Sequence, residues 1–511
     1  MKHTFFITII SAALVLTASS CKKEFLGQAD PNAVTVADYF TSENDVLTAV
    51  NGAYQSLRSN AGMAEGSGLY TEERSDNTGR NDNQSNAGEP FQFNDFSLLP
   101  SNTYLQNHWN ALYKIINAAN FALAGADIIK FNDPDLKSQY SAEAKFVRAL
   151  AYFDLVRKWG AVALVTKPVS SIDEAMQKNT RVSVDSIYAQ IVNDLTDAAD
   201  SKLPDLQPVS GKGRASRAAA NALLGKVYLT MASALSSTKR ADNLQSALHY
   251  LTASYNMRTF GTLNEIPYAD VFDVDKKTTC PELLFQIEYK QGDKDYSSSI
   301  AASNQAKGET TNSLKPGTGS GGNVKLDLIK DYESGDLRKD FSVKFAKDPT
   351  VNDWYITKFR DKSALAGTSG YGGNDWILLR YADVILLLAE VNMDLGNNEA
   401  AIAFLDQVRD RAGLQNYKEA IKNPAYAARY PTLKLAILHE RRVELAFENQ
   451  RLYDLLRDFT PEQFVAYIHA KDQADYGLAK ISNCGTKDYY YPIPFKDNNL
   501  NPEGMYQNPG Y

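Results

Sequence analysis

The chain has 511 residues, a formal net charge of −7, 44% hydrophobic residues and 23% charged residues. These values are near the average for globular proteins and permit a large buried core, but length alone does not decide the number of domains. Because no basic stripe or polybasic tail accompanies the acidic net charge, the composition argues against a nucleic-acid-binding protein.

Residues 1–20 have the pattern of a secretory signal peptide. Lys2 precedes an apolar run over 5–16, and small residues at 18–20 lead directly to Cys21. The apolar run is too short to cross a bilayer, which needs about 20 apolar residues. We therefore predict cleavage before Cys21 and attachment of lipid to its thiol; the alternative is an ordinary secreted protein with a free thiol.

Two further cysteines, Cys280 and Cys484, lie far apart in the chain. A single pair so widely separated is not a disulfide framework, so we predict two isolated thiols, although the sequence leaves a disulfide open.

Four pairs of helices are predicted from apolar residues at helical spacing and from alanine-rich faces. The first pair joins 46–57 to 109–129, and the second joins 146–158 to 184–199. A helix followed by a polar turn and a second helix is the unit of tetratricopeptide repeats.

The third pair begins at Ala218, and its Leu224, Gly225 and Tyr228 reproduce the Leu-Gly-x-x-Tyr spacing of that repeat. Ala247 and Leu251 belong to the partner helix after a long turn.

The fourth pair joins the apolar segment 381–390 to 400–408 across a polar turn at 396–399. Small residues at positions 151, 225 and 389 would let neighbouring helices approach closely, as the stacking of repeats requires. The pattern therefore predicts a helical scaffold.

Three long polar insertions, at about 61–106, 291–323 and 347–374, separate these pairs. Loops longer than about 15 residues without regular structure are uncommon in compact domains and usually carry function. Two short segments, 283–289 and 354–359, have the composition of strands. We therefore expect the insertions to form the recognition region.

Blocks of residues in a fixed order along the chain resemble the SusD/RagB family. The blocks are KEFL at 23–26, NGAYQSL at 51–57, RALAYFDLVRKWG at 148–160, LRYAD at 379–383, HERRVELAFE at 439–448, YPIP at 491–494 and QNPGY at 507–511.

The resemblance implies a mainly α fold in which four tetratricopeptide-like helix pairs form a right-handed solenoid scaffold. This scaffold would carry a loop-rich ligand-binding region with a few short strands, in a single domain over 21–511. The resemblance also implies an outer-membrane lipoprotein, exposed at the cell surface, that binds oligosaccharides or, in some members, peptides. Its partner would be a SusC-like TonB-dependent transporter, and it would be a binding protein without enzymatic activity.

Charged residues of the 439–448 block recur at helical spacing and include Glu440, Glu444 and Glu448. We interpret them as salt bridges that lock this helix to its neighbours, because carboxylates among arginines keep low pKa values and make poor general acids. Four charged residues of the earlier blocks receive the same interpretation: Arg148, Arg157, Arg380 and Asp383.

Enzyme motifs give little support for catalysis. The five histidines are scattered, and His439-Glu440 lacks the second histidine that a zincin helix needs. The glycine-rich stretch 317–322 has the glycine spacing of a dinucleotide-binding fingerprint. A dinucleotide site also needs a strand directly before this stretch and a helix directly after it, and the sequence predicts a loop there. The sequence does not exclude a pair of glycosidase carboxylates, but no pattern identifies two of the 61 acidic residues as such a pair.

A sugar site needs exposed rings for the C–H faces and planar polar groups for the hydroxyls. The predicted rings are Tyr296, Trp354, Tyr371 and Trp376, and the predicted polar groups are Arg74, Asp76, Asn77 and Arg80. Trp376 could instead belong to the core, and Trp354 could point inward from its strand. A peptide receptor and an assembly protein without a small ligand are the alternative functions.

Oxygen-rich side chains over 76–83 could hold Ca²⁺, but their spacing matches no EF-hand. We therefore predict no cofactor and no metal site.

Overall fold

The computed structural model describes residues 36–79, 88–169, 171–235 and 237–511. The predicted signal peptide, Cys21 and Arg80 lie outside the described residues.

Eight helices of at least 14 residues form four consecutive pairs within the described chain. In each pair the first helix packs on the second: α1 Glu43–Ser56 on α2 Thr103–Ile128, α3 Pro134–Trp159 on α4 Val184–Ala199, α5 Arg217–Ala234 on α6 Arg240–Asn256, and α7 Tyr381–Asp394 on α8 Asn398–Arg411. Successive pairs also touch, because α2 packs on α3, α4 on α5 and α6 on α7. The predicted mainly α fold with four helix pairs is confirmed.

Local signals set where these helices begin and end. Ser42 caps α1 in a capping box with Asp45, satisfying amide groups that have no partner within the helix. Asp133 caps α3, whose first residue is Pro134, a position where the missing amide hydrogen costs nothing. The helix ends at Gly160, which has a φ of 71° that other residues rarely adopt.

Close packing between α5 and α6 depends on Gly225. A Cβ atom at this position would lie 2.6 Å from Leu251 Cγ and 2.9 Å from the Leu251 backbone nitrogen. Ala151 and Ala389, the other small residues predicted at close helix contacts, are fully buried. The prediction that these small residues sit at close helix contacts is confirmed at Gly225, where the structure gives the distances.

We expect Gly225→Ala to lower the free energy of unfolding by about 1–3 kcal/mol, because the added methyl group overlaps backbone as well as side chain. The matched control is Gly52→Ala in α1, where an added Cβ meets no atom within 4 Å. That change should raise the free energy by up to about 1 kcal/mol through helix propensity. Urea unfolding followed by circular dichroism measures both, and equal effects would contradict the packing argument.

Two small antiparallel sheets lie in the second half of the chain. β1 Leu283–Ile287 pairs with β4 Trp376–Arg380, and β2 Val343–Phe345 pairs with β3 Trp354–Ile356. The strands predicted near 283 and 354 are therefore confirmed. β4 leads directly into α7, so that this sheet is joined to the fourth helix pair.

Shorter helices complete the described chain. Two pack near α7 or α8 and carry buried charges: α9 Leu433–Glu444 and α10 Arg451–Asp458. The other α-helical segments are Val36–Tyr39, Phe91–Asn94, Ile172–Lys178, Ile300–Ser303, Leu326–Asp331, Leu337–Ser342, Ala364–Ser369, Tyr417–Ala420, Pro424–Arg429, Pro461–His469, Gln473–Tyr476 and Phe495–Leu500. Turns of 3₁₀ helix are Glu65–Tyr70, Val209–Gly211, Ser237–Lys239, Leu263–Glu265, Tyr268–Phe272, Ile481–Asn483 and Thr486–Tyr489.

Cys280 and Cys484 are both free and buried, which confirms the prediction of two isolated thiols. Burial raises the pKa of Cys280 to about 11 and that of Cys484 to about 12, so neither thiol is activated. Within the described part of the chain, no helix combines the length and apolar character needed to cross a membrane.

Candidate functional site

Acidic residues of the 439–448 block are buried in ion pairs. Glu444 lies 2.7 Å from Arg380 and 2.5 Å from Arg411, and it also contacts Arg338 at 3.0 Å. Burial alone would raise the pKa of Glu444, but the three guanidinium groups together hold it well below its usual value. The interpretation of this block as structural salt bridges is confirmed.

Glu448, the third glutamate of that block, is also held by buried basic side chains. Its carboxylate lies 2.7 Å from Arg380 and 2.6 Å from Lys358. Arg441 reaches Asp383 at 2.9 Å, which joins α9 to α7. These pairs tie α9 to neighbouring segments.

Asp76 and Asn77, predicted to face a ligand, are fully buried instead. Asp76 accepts a hydrogen bond from Arg451 at 2.7 Å and lies 3.2 Å from Arg442. Asn77 accepts a 3.0 Å hydrogen bond from Arg442 and donates one to Glu72. The structure corrects this part of the prediction, because these polar groups compensate arginines that come from far along the chain.

Arg74 is also buried, and this prediction needs the same correction. Its guanidinium lies 3.0 Å from Asp488 and between the rings of Phe96 and Tyr491, about 5 Å from each. A charged group enclosed in this way stabilises the packing of the first insertion against the C-terminal segment and has no free face for a ligand.

The four predicted rings differ in exposure. Tyr296 is 42% exposed, and the guanidinium of Arg58 lies 4.9 Å from its ring centre. Tyr371 is half-buried. Trp354 is half-buried on β3 and packs edge-on against Phe345. Trp376 is only 3% exposed, so its position agrees with the core alternative.

All three predicted insertions contribute to one open depression of about 570 Å³, which we call the insertion cleft. Glu65 comes from the first insertion, two stretches around Lys294 and Lys315 from the second, and Tyr371 from the third. The lining residues are Arg58, Asn60, Glu65, Tyr289, Lys294, Asp295, Ser297, Ser299, Ala302, Ser303, Lys315, Pro316, Gly317, Thr318, Ser369, Gly370 and Tyr371.

Two further depressions adjoin the insertion cleft. The inner chamber, about 290 Å³, shares Asn60, Glu65 and two serines with the cleft, and Trp376 lines it. The side pocket, about 250 Å³, shares Arg58 with the cleft, and Tyr296 lines it. Three of the predicted rings therefore border connected depressions, whereas Trp354 lines none of these three.

Glu65 fixes the geometry of the cleft. Its carboxylate accepts hydrogen bonds from the Ser299 backbone at 2.8 Å, from the Ser299 hydroxyl at 2.7 Å and from the Ser298 hydroxyl. Ser298 in turn exchanges two 2.8 Å backbone hydrogen bonds with Gly372, next to Tyr371. One carboxylate thus connects the first insertion to the second, and the second is bonded to the third.

Glu72 lines the inner chamber and has an unusual environment. Burial raises its pKa to about 7, although hydrogen bonds from Asn77 and Asn449 act in the opposite direction. Near neutral pH this carboxyl group can donate as well as accept a hydrogen bond, which suits recognition of a hydroxyl group.

Sequence reasoning missed the residues at the centre of the cleft, including Arg58, Asn60 and Glu65. Arg58 directly follows a family block, and Asn60 directly precedes the first insertion. Their closeness to the predicted start of that insertion at 61 was the only available signal. The contacts of Arg58 and Glu65 depend on segments more than 200 residues away.

One group of side chains in the described part of the chain has the spacing of a metal site. Among the described residues, Glu333, His439 and Glu440 have ligand atoms close enough for one ion. Arg409, however, contacts Glu333 at 2.7 Å and Glu440 at 3.0 Å, so an arginine already supplies the positive charge. Residues 80–83 of the 76–83 segment lie outside the described residues, and Asp76 is bound to arginines.

Two family models match the chain: "SusD family" over residues 343–511, and "Starch-binding associating with outer membrane" over residues 24–229. SusD-like protein P2 of Formosa agariphila is 26% identical, with 99% of each chain covered. A SusD-like protein of Bacteroides ovatus is 26% identical over 90% of this chain and 84% of its own.

Solved structures share the fold. A laminarin binding SusD-like protein superposes with a TM-score of 0.73 and 24% identity, covering 92% of this chain and 100% of its own. Surface glycan-binding protein A from Bacteroides thetaiotaomicron, in complex with laminarihexaose, gives 0.74 and 18% with the same coverage. Surface glycan-binding protein A from Bacteroides fluxus gives 0.75 and 22%, again with the same coverage.

Proposed function

Because the chain belongs to the SusD/RagB family, we propose that it is a cell-surface receptor that binds oligosaccharides in the insertion cleft. It delivers them to a SusC-like TonB-dependent transporter in the outer membrane. Residues 21–511 act as one domain in this proposal, with the helix pairs as the frame and the insertions as the binding surface.

The observation that carries the proposal is the meeting of all three insertions at one open cleft. A sugar presents apolar C–H faces and a rim of hydroxyl groups. The cleft offers the Tyr371 ring for the first, and serine, threonine and asparagine side chains for the second. Its continuation into the inner chamber and the side pocket suits a chain of several sugar units.

The proteins of similar structure add support, because one is named as a laminarin binding protein and two as surface glycan-binding proteins. Their sequence identity to this chain is below 25%, so the likeness supports the fold of the helical scaffold. Support for an oligosaccharide ligand comes from the side chains that line the insertion cleft. The description of the matching N-terminal family, which associates with the outer membrane, supports the proposed location.

Membrane attachment in the proposal depends on Cys21. Acyl chains contribute roughly 0.8 kcal/mol per buried methylene group, so several chains on one cysteine would hold the protein firmly at the membrane. The receptor would then be retained beside its transporter.

Binding without catalysis fits the carboxylates of the cleft. Both oxygens of Glu65 accept hydrogen bonds from serines, which leaves this group poorly placed as a nucleophile. Asp295, the other carboxylate of the insertion cleft, is exposed. Glu72 of the adjoining inner chamber has the raised pKa that a glycosidase acid needs, but both of its oxygens accept hydrogen bonds, from the Asn77 side chain and the Asn449 backbone.

Isothermal titration calorimetry against panels of oligosaccharides and peptides tests the proposal. We expect saturable binding of at least one oligosaccharide class, without turnover when the bound sugar is recovered and analysed. Binding of peptides alone would favour the peptide-receptor alternative. An absence of binding to both panels, in a protein with a cooperative thermal transition, would contradict the proposal.

A further inference from the structure

Positive side chains line the insertion cleft although the whole chain is acidic. Arg58, Lys294 and Lys315 border this cleft together with two carboxylates, Glu65 and Asp295. The chain as a whole carries a formal net charge of −7. This wall therefore has a local charge opposite to that of the molecule.

Arg58 is positioned to present its guanidinium to a ligand. Its Nε donates a 2.9 Å hydrogen bond to the Glu288 carbonyl oxygen, and the group lies 4.9 Å from the Tyr296 ring centre. These two contacts orient the planar group, and neither is an ion pair; the nearby Glu288 carboxyl group offsets only part of its charge, because Lys277 and Arg214 also act on that group. An oriented guanidinium can grip a carboxylate or a sulfate with two parallel hydrogen bonds.

The lysines lie on the second insertion. Lys315 is exposed, and its Nζ donates a hydrogen bond to the Ser369 carbonyl oxygen at 3.2 Å. Lys294 is also exposed. Because each contributes an ammonium group at the cleft, they suit recognition of a negative charge at more than one position along a ligand.

The acidic side chains are distributed unevenly between the insertion cleft and the inner chamber. Glu65 uses both of its oxygens for hydrogen bonds from Ser298 and Ser299, which tie it to the second insertion. At the other end, the described residues that line the inner chamber include Glu73 and no lysine or arginine. The charge thus changes sign between the outer cleft and the inner chamber.

Resting on the proposed function, we infer that the ligand is an anionic oligosaccharide, with a uronic-acid carboxylate or a sulfate ester bound beside Arg58 at the outer cleft. Neutral sugar units occupy the inner chamber, where Glu73 would repel a second negative group and no lysine or arginine of the described lining would attract one. Both anionic groups share the geometry that a guanidinium recognises, and one charged substituent at the outer end also orients the chain in the cleft.

The test compares three probes by calorimetry on the full purified protein: a neutral laminarihexaose, a carboxylated oligogalacturonate and a sulfated galactan oligosaccharide. We expect a carboxylated or sulfated probe to bind at least tenfold more tightly than the neutral one. Its affinity should also fall as sodium chloride rises from about 50 to about 500 mM, since salt screens exposed charges. The stronger of the two charged probes distinguishes a carboxylate from a sulfate.

Variants assign the effect to the cleft. Arg58→Gln should weaken binding of the charged probe about tenfold, and Arg58→Lys should recover part of that loss. Lys294→Gln provides a second variant on an exposed side chain, in case removing Arg58 disturbs folding. Lys422→Gln, at an exposed lysine outside the cleft, is the matched control and should leave affinity unchanged.

The outcomes separate the two levels of the proposal. Tight binding of the neutral probe alone would overturn the anionic inference and leave the proposed function intact. If none of the three probes binds, and no other oligosaccharide of the panel binds either, both the inference and the proposed function are wrong. Binding of a charged probe that is unchanged in both the Arg58→Gln and Lys294→Gln variants would also overturn the inference.

Discussion

Replacing Arg148 with methionine is expected to lower the free energy of unfolding by about 3–5 kcal/mol, because it leaves a buried carboxylate without its positive partner. Arg148 in α3 makes two hydrogen bonds to Asp194 in α4, at 2.8 and 2.7 Å. It also donates a 2.8 Å hydrogen bond to Asn120 in α2. One side chain therefore links three helices of the scaffold.

The expected loss of stability in Arg148→Met arises from Asp194 as much as from Arg148. Burial raises the pKa of Asp194, and Arg148 is the main group acting in the opposite direction. Without the guanidinium, Asp194 would keep the 3.0 Å hydrogen bond from the Gln190 side chain, which carries no charge. A buried charge in that position either takes up a proton or destabilises the fold.

Two further variants make the experiment decisive. Lys418→Met removes the same kind of charge from a surface pair with Glu399, whose side chains are 56% and 82% exposed, and should cost less than about 1 kcal/mol. The double variant Arg148→Met with Asp194→Leu should recover much of the lost stability, since apolar groups can replace a buried pair. Chemical unfolding measures all three. A loss from Arg148→Met no larger than that of the surface variant would refute the prediction.

Replacing Tyr371 with alanine is expected to weaken oligosaccharide binding about tenfold to thirtyfold while leaving the fold intact. Removal of a ring at the centre of an interface often costs about 2 kcal/mol of binding energy. The backbone around Tyr371 should keep its place. Its carbonyl oxygen accepts a 2.9 Å hydrogen bond from Gly292, and its amide donates to Ser369.

The matched control for that variant is Tyr506→Ala, at a 51% exposed tyrosine outside the insertion cleft. Calorimetry with the sugar identified in the panel should show unchanged affinity for this control, and thermal unfolding should show similar stability for both variants. Unchanged affinity of Tyr371→Ala would remove the ring from the site. Trp376→Ala is a poor probe, because this buried ring packs on Phe359 and its loss would also disturb the core.

Much of the scaffold could be predicted from the chain alone, because helix formation depends on neighbours three and four residues apart. The Leu-Gly-x-x-Tyr pattern around Gly225 identified one helix of a pair, and the apolar periodicity over 400–408 identified another. The interpretation of Glu444 and Glu448 as structural groups also followed from local spacing among arginines. In each case the deciding information lies within a few residues.

The candidate site could be predicted only in outline. Composition and length indicated which insertions would carry recognition, and the structure places parts of all three at the insertion cleft. The polar residues Arg74 and Asp76 could not be assigned correctly in this way. A charged side chain in a loop looks the same in sequence whether it faces water or a buried partner.

What the sequence by itself determined is therefore the four pairs of long helices and the segments left over between them. Tertiary structure alone decided that Asp76 meets Arg451, 375 residues later, and that Glu65 holds Ser299, 234 residues later. The physical reason is range. Helix periodicity and capping are local interactions, whereas the choice of partner for a buried charge depends on which distant segments pack together.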